Sequence, residues 1–172
     1  MTKVSDLRIR RLEPADAALY REIRLEGLQG NPEALGSTFE SENAQPLSWF
    51  EAVVARADVF GAFLDEALVG IAGYAAPEGS KQAHKGRLWG MYVRAAGRNA
   101  SLGKRLVQAV LDHARERAEM VQLTVVSENG AARRLYDAMG FVEYGYEKRA
   151  LKHDGRYYDE VLMVKFLDEG LS

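Results

Sequence analysis

The 172-residue chain has no cysteine. That excludes disulfide staples, a thiol nucleophile and thiolate metal ligation together, and no metal site is expected. It also lacks internal repeats, low-complexity tracts and any Pro/Gly/Ser-rich linker, so a single domain spanning 1–172 is expected. No apolar run approaches the ~18 residues of a membrane helix, and Met1–Arg10 is polar where a secretory leader would be apolar. The expectation is a cytoplasmic protein without a membrane partner. Neither sign of charge dominates: 23 Lys and Arg stand against 25 Asp and Glu, a net charge of -2, which gives no reason to expect nucleic acid. With 47% hydrophobic and 28% charged residues, this is the composition of a globular chain able to bury a core.

Periodicity supplies the elements. Residues 7–12 alternate apolar and charged, as a half-buried strand does. Glu13-Pro14-Ala15-Asp16 opens a helix to about Leu28, stopped by Gly30-Asn31-Pro32. Residues 31–45 read as irregular, with at most a turn at Pro32–Leu35, and a second helix fits Pro46–Arg56. Two strands, Val59–Leu64 and Ala67–Ala75, are joined by a tight Asp65-Glu66 hairpin, and Pro77–Lys85 is a polar loop. Leu88–Val93 is apolar throughout, which predicts a central strand covered on both faces.

From Leu102 the period becomes helical: Leu102, Leu106, Val107, Val110, Leu111 and Ala114 share one face. Val121–Val126 is a strand, predicted parallel to Leu88–Val93. Asn129–Met139 is a short helix closed by Gly140 at its C-cap. Residues 141–150 and 156–166 form a hairpin turned at His153-Asp154-Gly155. The order β-α-α-β-β-β-α-β-α-β-β predicts an α+β fold around a mixed sheet.

Two segments carry chemistry. The turn Arg94–Arg105 joins the central strand to the long helix with small residues and positive charge (Arg98, Lys104, Arg105). Small residues let a ligand approach the backbone, and a helix start offers N–H groups and a positive dipole end, so the turn suits an anion. The plainer reading is a turn and nothing more. Neither G-x-G-x-x-G nor a P-loop is present, which argues against dinucleotide and nucleoside-triphosphate folds. The second segment, Asn129–Phe141, reads plainly as an amphipathic helix with Asn129 as its N-cap.

Taken together the two segments resemble the GNAT N-acetyltransferases. The family's [QR]-x-x-G-x-[GA] motif is matched by Arg98-Asn99-Ala100-Ser101-Leu102-Gly103, with Ser101 in place of the middle glycine. Its N-x-x-A-x-x-L-Y-x-x-x-G-F pattern is matched by Asn129, Ala132, Leu135, Tyr136, Gly140 and Phe141. The resemblance implies a mixed, mostly antiparallel sheet with helices on both faces, acetyl-CoA as acetyl donor, and a primary amine, small molecule or peptide, as acceptor. It further implies that the backbone of Met91 and Val93 meets the pantetheine arm and thioester, with Tyr92 also among the cofactor-binding residues. Arg98, Asn99, Ala100, Ser101, Leu102, Gly103 and Lys104 would hold the pyrophosphate, Asn129 the pantetheine, and Tyr136 would be the general acid. Homodimers are common in that family.

The substitution at Ser101 costs about 1 kcal/mol if the position needs positive φ; otherwise the serine caps the helix or donates to a phosphate. Many members carry a Glu on the central strand as general base, and residues 86–94 contain no carboxylate. Glu128 through water, Glu40 or Glu42, and bulk solvent remain open as the base, while His84 and His153 read as solvated. The acidic stretch 36–42 and Asp159-Glu160 would attract a cationic acceptor, or are simply surface acids. A non-catalytic acyl-CoA sensor on the same fold is the rival reading, and an ATP-binding module a weaker one.

Overall fold

The structure, a computed structural model, describes residues 6–168; the side chains of Asn99 and Ala100 lie outside the described set. Strand β1 (Leu7–Arg11) passes through a 3-10 turn (Pro14–Asp16) into α1 (Ala17–Gly30), followed by α2 (Phe39–Asn43) and α3 (Leu47–Arg56). Strands β2 (Asp58–Leu64), β3 (Ala67–Ala75) and β4 (Lys85–Val93) form a meander. A second 3-10 turn (Ala95–Ala100) leads to α4 (Leu102–Ala114), then β5 (Met120–Val126), α5 (Gly130–Ala138) and the hairpin β6 (Val142–His153) and β7 (Arg156–Phe166). The seven strands lie in the order β1-β2-β3-β4-β5-β7-β6. Every neighbouring pair is antiparallel except β4 and β5.

Two cores sandwich this sheet. On one face the predicted stripe of α4, from Leu102 to Ala114, is fully buried against Ala72, Leu88 and Val121. On the other, Tyr20, Ile23 and Leu28 of α1 and Phe50 and Val54 of α3 pack on Val59, Phe63 and Ile71. Each fully buried aliphatic or aromatic side chain contributes roughly 1.5–3 kcal/mol, so these stripes fix the layering. The α1 entry is closed by a capping box in which the Glu13 N–H donates to Asp16 (2.8 Å), and Asp16 also accepts from Arg10 at 2.8 and 2.9 Å. The β6–β7 turn has Asp154 and Gly155 both at positive φ (49° and 76°), as a two-residue hairpin turn requires.

Two expectations need correction. Residues 31–45 are not wholly irregular, because α2 forms at Phe39–Asn43 with Thr38 accepting from the Ser41 N–H (3.2 Å). The signal was in the sequence: an N-cap threonine followed by Glu40 and Glu42 in the first turn. Nor is β4 covered on both faces. Only Gly86 and Leu88 are buried, and residues from Trp89 onward are half-buried. The reason is that β4 and β5 pair only at Lys85–Arg87 with Met120–Gln122 and then separate.

Candidate active site

The separation of β4 from β5 opens a cleft of about 610 Å³ through the middle of the sheet. Met91, Tyr92, Val93, Arg98, Gly103, Asn129 and Tyr136, which the sequence placed in one site, all line it. Leu102 does not: its side chain is fully buried in the core, leaving only its backbone for a ligand. Ser101, the N-cap of α4, and Lys104, in its first turn, are exposed and not among the residues that line the cleft. The Asn99 and Ala100 side chains fall outside the described set.

Strand β4 is bent where it meets the cleft. Ile71 pairs with Tyr92 and Gly73 with Trp89, so Ala72 faces both Gly90 and Met91, a bulge. Gly90 sits at φ 64°, where a glycine is favoured. Beyond the bulge the Arg94 N–H donates to the Val69 carbonyl (2.8 Å) on the β3 side. Successive residues of a strand aim their main-chain groups at opposite edges, so the N–H and C=O of Val93 face the cleft. The carbonyl is indeed reached from there by Arg98 Nε at 3.2 Å.

The turn into α4 has the strain that its sequence suggested. Ser101 adopts φ 56° and ψ 28°, the left-handed region, and its side chain makes no cap hydrogen bond. The capping alternative therefore fails, and the position is one that glycine fills at lower cost. Gly103 lies where the helix start, α5 and β4 converge. A Cβ there would stand 3.2 Å from Leu135 and 3.6 Å from Met91, and larger side chains would intrude on the cleft. The opening turn of α4 brings N–H groups that precede any intrahelical acceptor, flanked by exposed Arg98, Lys104 and Arg105. The cradle fits an anionic phosphate chain on charge and space.

On the opposite wall, Asn129 caps α5: its Oδ1 accepts from the Ala132 N–H at 3.2 Å. That leaves its side-chain NH₂ as a donor toward the cleft, so the capping and ligand-binding readings are compatible. Tyr136 is only 5% exposed, packs edge-on against Phe141 and lines the cleft. Burial pushes its hydroxyl up to about 12, which keeps it a protonated donor. Sequence reasoning passed over other wall residues, notably Trp89 and Thr124; the lone hydroxyl within apolar β5 was the available signal for Thr124.

Several acids offered as bases, or as a lure for a cationic acceptor, are otherwise engaged. Glu42 is buried in a two-pronged ion pair with Arg24, so it is neither a solvated surface acid nor an open lure for a cation. Glu128 is held by Arg156 at 2.7 Å, and Asp159 accepts from Tyr146 (2.6 Å) and from the Arg149 N–H (2.8 Å). Glu40 is exposed and off the cleft wall. Among the described residues lining the cleft, none is Asp, Glu or His; His153 sits in the β6–β7 turn beside Asp154, and His84 precedes β4.

The model of the Acetyltransferase (GNAT) family matches residues 22–141. The chain belongs to the GNAT acetyltransferase family. Solved GNAT structures share its fold across nearly the whole chain. An acetyltransferase of the GNAT family from Streptococcus pneumoniae superposes with a TM-score of 0.83 at 24% identity, covering 94% of this chain and 99% of that one. A candidate acetyltransferase from Salmonella typhimurium, solved with its cofactor acetyl-CoA, gives 0.78 at 22% identity, covering 96% of each chain. Ribosomal-protein-alanine N-acetyltransferase from Brucella melitensis gives 0.77 at 24% identity, with 93% and 99% covered. At these identities the likeness is one of fold. No curated protein matches the sequence. GNAT enzymes draw on acetyl-CoA as acetyl donor, and the cleft described above is where this chain has the space and charge for it.

Proposed function

We propose that this GNAT protein transfers the acetyl group of acetyl-CoA to a primary amine by direct attack within a ternary complex. One observation carries the reading: Tyr136, Asn129 and the unpaired backbone of β4 face one another across a single cleft that passes through the sheet. Acetyl-CoA, when bound, supplies the thioester that the amine attacks, with the coenzyme thiol leaving.

The chain's own residues divide the work. Arg98, Lys104 and the backbone from Asn99 through Gly103 neutralise and orient the pyrophosphate, each charge-assisted hydrogen bond contributing roughly 1.5–3 kcal/mol. The free NH₂ of Asn129 and the main chain of Met91 hold the pantetheine arm, while Tyr92, whose main chain pairs with Ile71 of β3, contributes only to the cleft wall. The Val93 N–H donates to the thioester oxygen, whose negative charge grows on attack. Tyr136 donates to the departing sulfur. With its hydroxyl at about 12 and an ordinary thiol near 8.5, complete proton transfer is uphill by roughly 5 kcal/mol, so the bond stabilises the thiolate and the proton moves late. In this reading solvent takes the amine's proton before attack, in keeping with a cleft wall that carries no Asp, Glu or His among the described residues.

That same lack favours one other reading, an acyl-CoA-binding sensor without turnover. Thermal shift followed by thiol release separates the two. Acetyl-CoA at 100 times its Kd stabilises by ~2.7 kcal/mol, roughly 5–11 °C for a chain of this size, and ATP serves as control. A shift with acetyl-CoA and thiol release with at least one amine of a broad panel supports the transferase. A shift without release supports the sensor, and no shift removes both.

A further inference from the structure

The two sides of the cleft have different walls. Gly103 of α4 and Ala132 and Leu135 of α5 line it on one face of the sheet. Asn31, Ala34 and Leu35, at and beyond the end of α1, line it on the other. A coenzyme held at α4 and α5 leaves the α1 side for the amine. The bulge residue Gly90 is part of the wall between them.

A cation stands behind that side. Arg24 of α1 spends Nε and Nη2 on the two oxygens of Glu42, at 2.9 Å each. Its Nη1 has no hydrogen-bond partner among the described residues, although only 9% of the side chain is exposed. Nη1 sits at the bulge. A Cβ built on Gly90 would stand 3.5 Å from it, with no other heavy atom of a non-adjacent residue within 4 Å. A side chain at position 90 would come between the guanidinium and the cleft, and glycine leaves the way open. Nor is the nitrogen sealed: the fully buried side-chain donors without a partner are Tyr74 Oη and Trp89 Nε1.

The N–H groups of a nearly buried guanidinium nitrogen are costly to leave unspent, and they select what they meet. They donate only, so they match an oxygen and disfavour a second cation. Glu42 offers an incoming ammonium nothing, because both of its oxygens are turned to Arg24. We propose that Arg24 is a specificity-determining residue of the acceptor site. Its Nη1 holds a carbonyl or carboxylate oxygen on the carbon next to the one that bears the amine. The assignment rests on the transferase reading above and narrows its acceptor from any primary amine to an α-amino acid or its carboxamide. The pair with Glu42 fixes the guanidinium in place, so the oxygen it holds also fixes where the neighbouring amine stands at the bulge.

The test uses the full chain, acetyl-CoA and matched acceptors: leucine and phenylalanine, their carboxamides, and the oxygen-free amines isopentylamine and phenethylamine. In the wild type, kcat/KM counted on neutral amine should be roughly tenfold or more higher for the acid or the amide than for the oxygen-free partner. Which of the two leads identifies the source of the oxygen. In Arg24→Met with Glu42→Leu, which leaves no lone charge in the core, this ratio should fall toward one, through a higher KM for the oxygen-bearing acceptor. Arg24→Lys should lose the ratio too, since an ammonium paired with Glu42 has no second arm at Gly90. A merely structural role would lower all acceptors together and keep the ratio. Equal kcat/KM across each series in the wild type overturns the assignment, and so does a preference that survives in both variants. Thiol release without that preference removes the role of Arg24 alone. No release with any amine of a broad panel fails the transferase reading, and this assignment with it.

Discussion

Glu42 accepts two hydrogen bonds from Arg24, Nε to Oε2 and Nη2 to Oε1, both 2.9 Å long, with 9% of each side chain exposed. This pair fastens α2, in the segment where the sequence showed little order, to α1. Removing one partner strands a charge in the core, so Glu42→Ala should cost about 3–5 kcal/mol in urea unfolding. Arg24→Met with Glu42→Leu should cost much less than the sum of the single changes, because neither charge is then left alone.

Tyr136→Phe tests the acid role directly. Loss of the hydroxyl should lower kcat about 10²-fold or more with the KM for acetyl-CoA nearly unchanged. Burial raises this phenol above its ordinary value, to about 12, so the donor form persists as pH rises until about that value. Any alkaline fall of the wild-type rate well below pH 12 therefore belongs to another group, and the variant should show the same fall.

If solvent takes the amine proton, kcat/KM should rise tenfold per pH unit until it levels at the acceptor's own pKa, near 10.4 for a lysine-like amine. Changing to an acceptor of lower pKa should move the break by the same amount. A break that stays fixed across acceptors would point to a protein base.

Ser101→Gly should raise stability by roughly 0.5–1 kcal/mol, because φ 56° strains a residue with a Cβ and the serine makes no capping bond in return. Denaturant midpoints decide it. Weaker acetyl-CoA binding in the more stable variant would show that the hydroxyl touches phosphate.

Asp16 is held below the ordinary carboxylate value, chiefly by the hydrogen bond from Arg10. A lowered folded pKa gives stability that is present above the unfolded value of ~3.9 and lost as pH falls through the folded one. The stability gap between wild type and Asp16→Asn should therefore be constant above about pH 5 and shrink in acid. A gap that persists in strong acid would assign the effect to the capping box instead.

The sequence by itself determined most elements and pointed to seven of the residues that line the candidate cleft. A helical stripe such as Leu102 to Ala114 is legible because its period is local, and each of these residues is buried. The motif at Asn129 to Phe141 was legible for the same reason: cap, apolar face and closing glycine all lie within 13 residues. The positive φ of Ser101 could be suspected from its alignment with a glycine position, though only the backbone decided it. The parting of β4 from β5 was not legible, since an all-apolar run reads as a covered strand whether or not its neighbour stays beside it. Neither were the partners of Glu42, Glu128 and Asp159. Each is an acid like any other in the sequence, and what silences it is a group 10 to 28 residues away. Pairing across such distances is a property of packing, and only the tertiary structure decided which partners these carboxylates take.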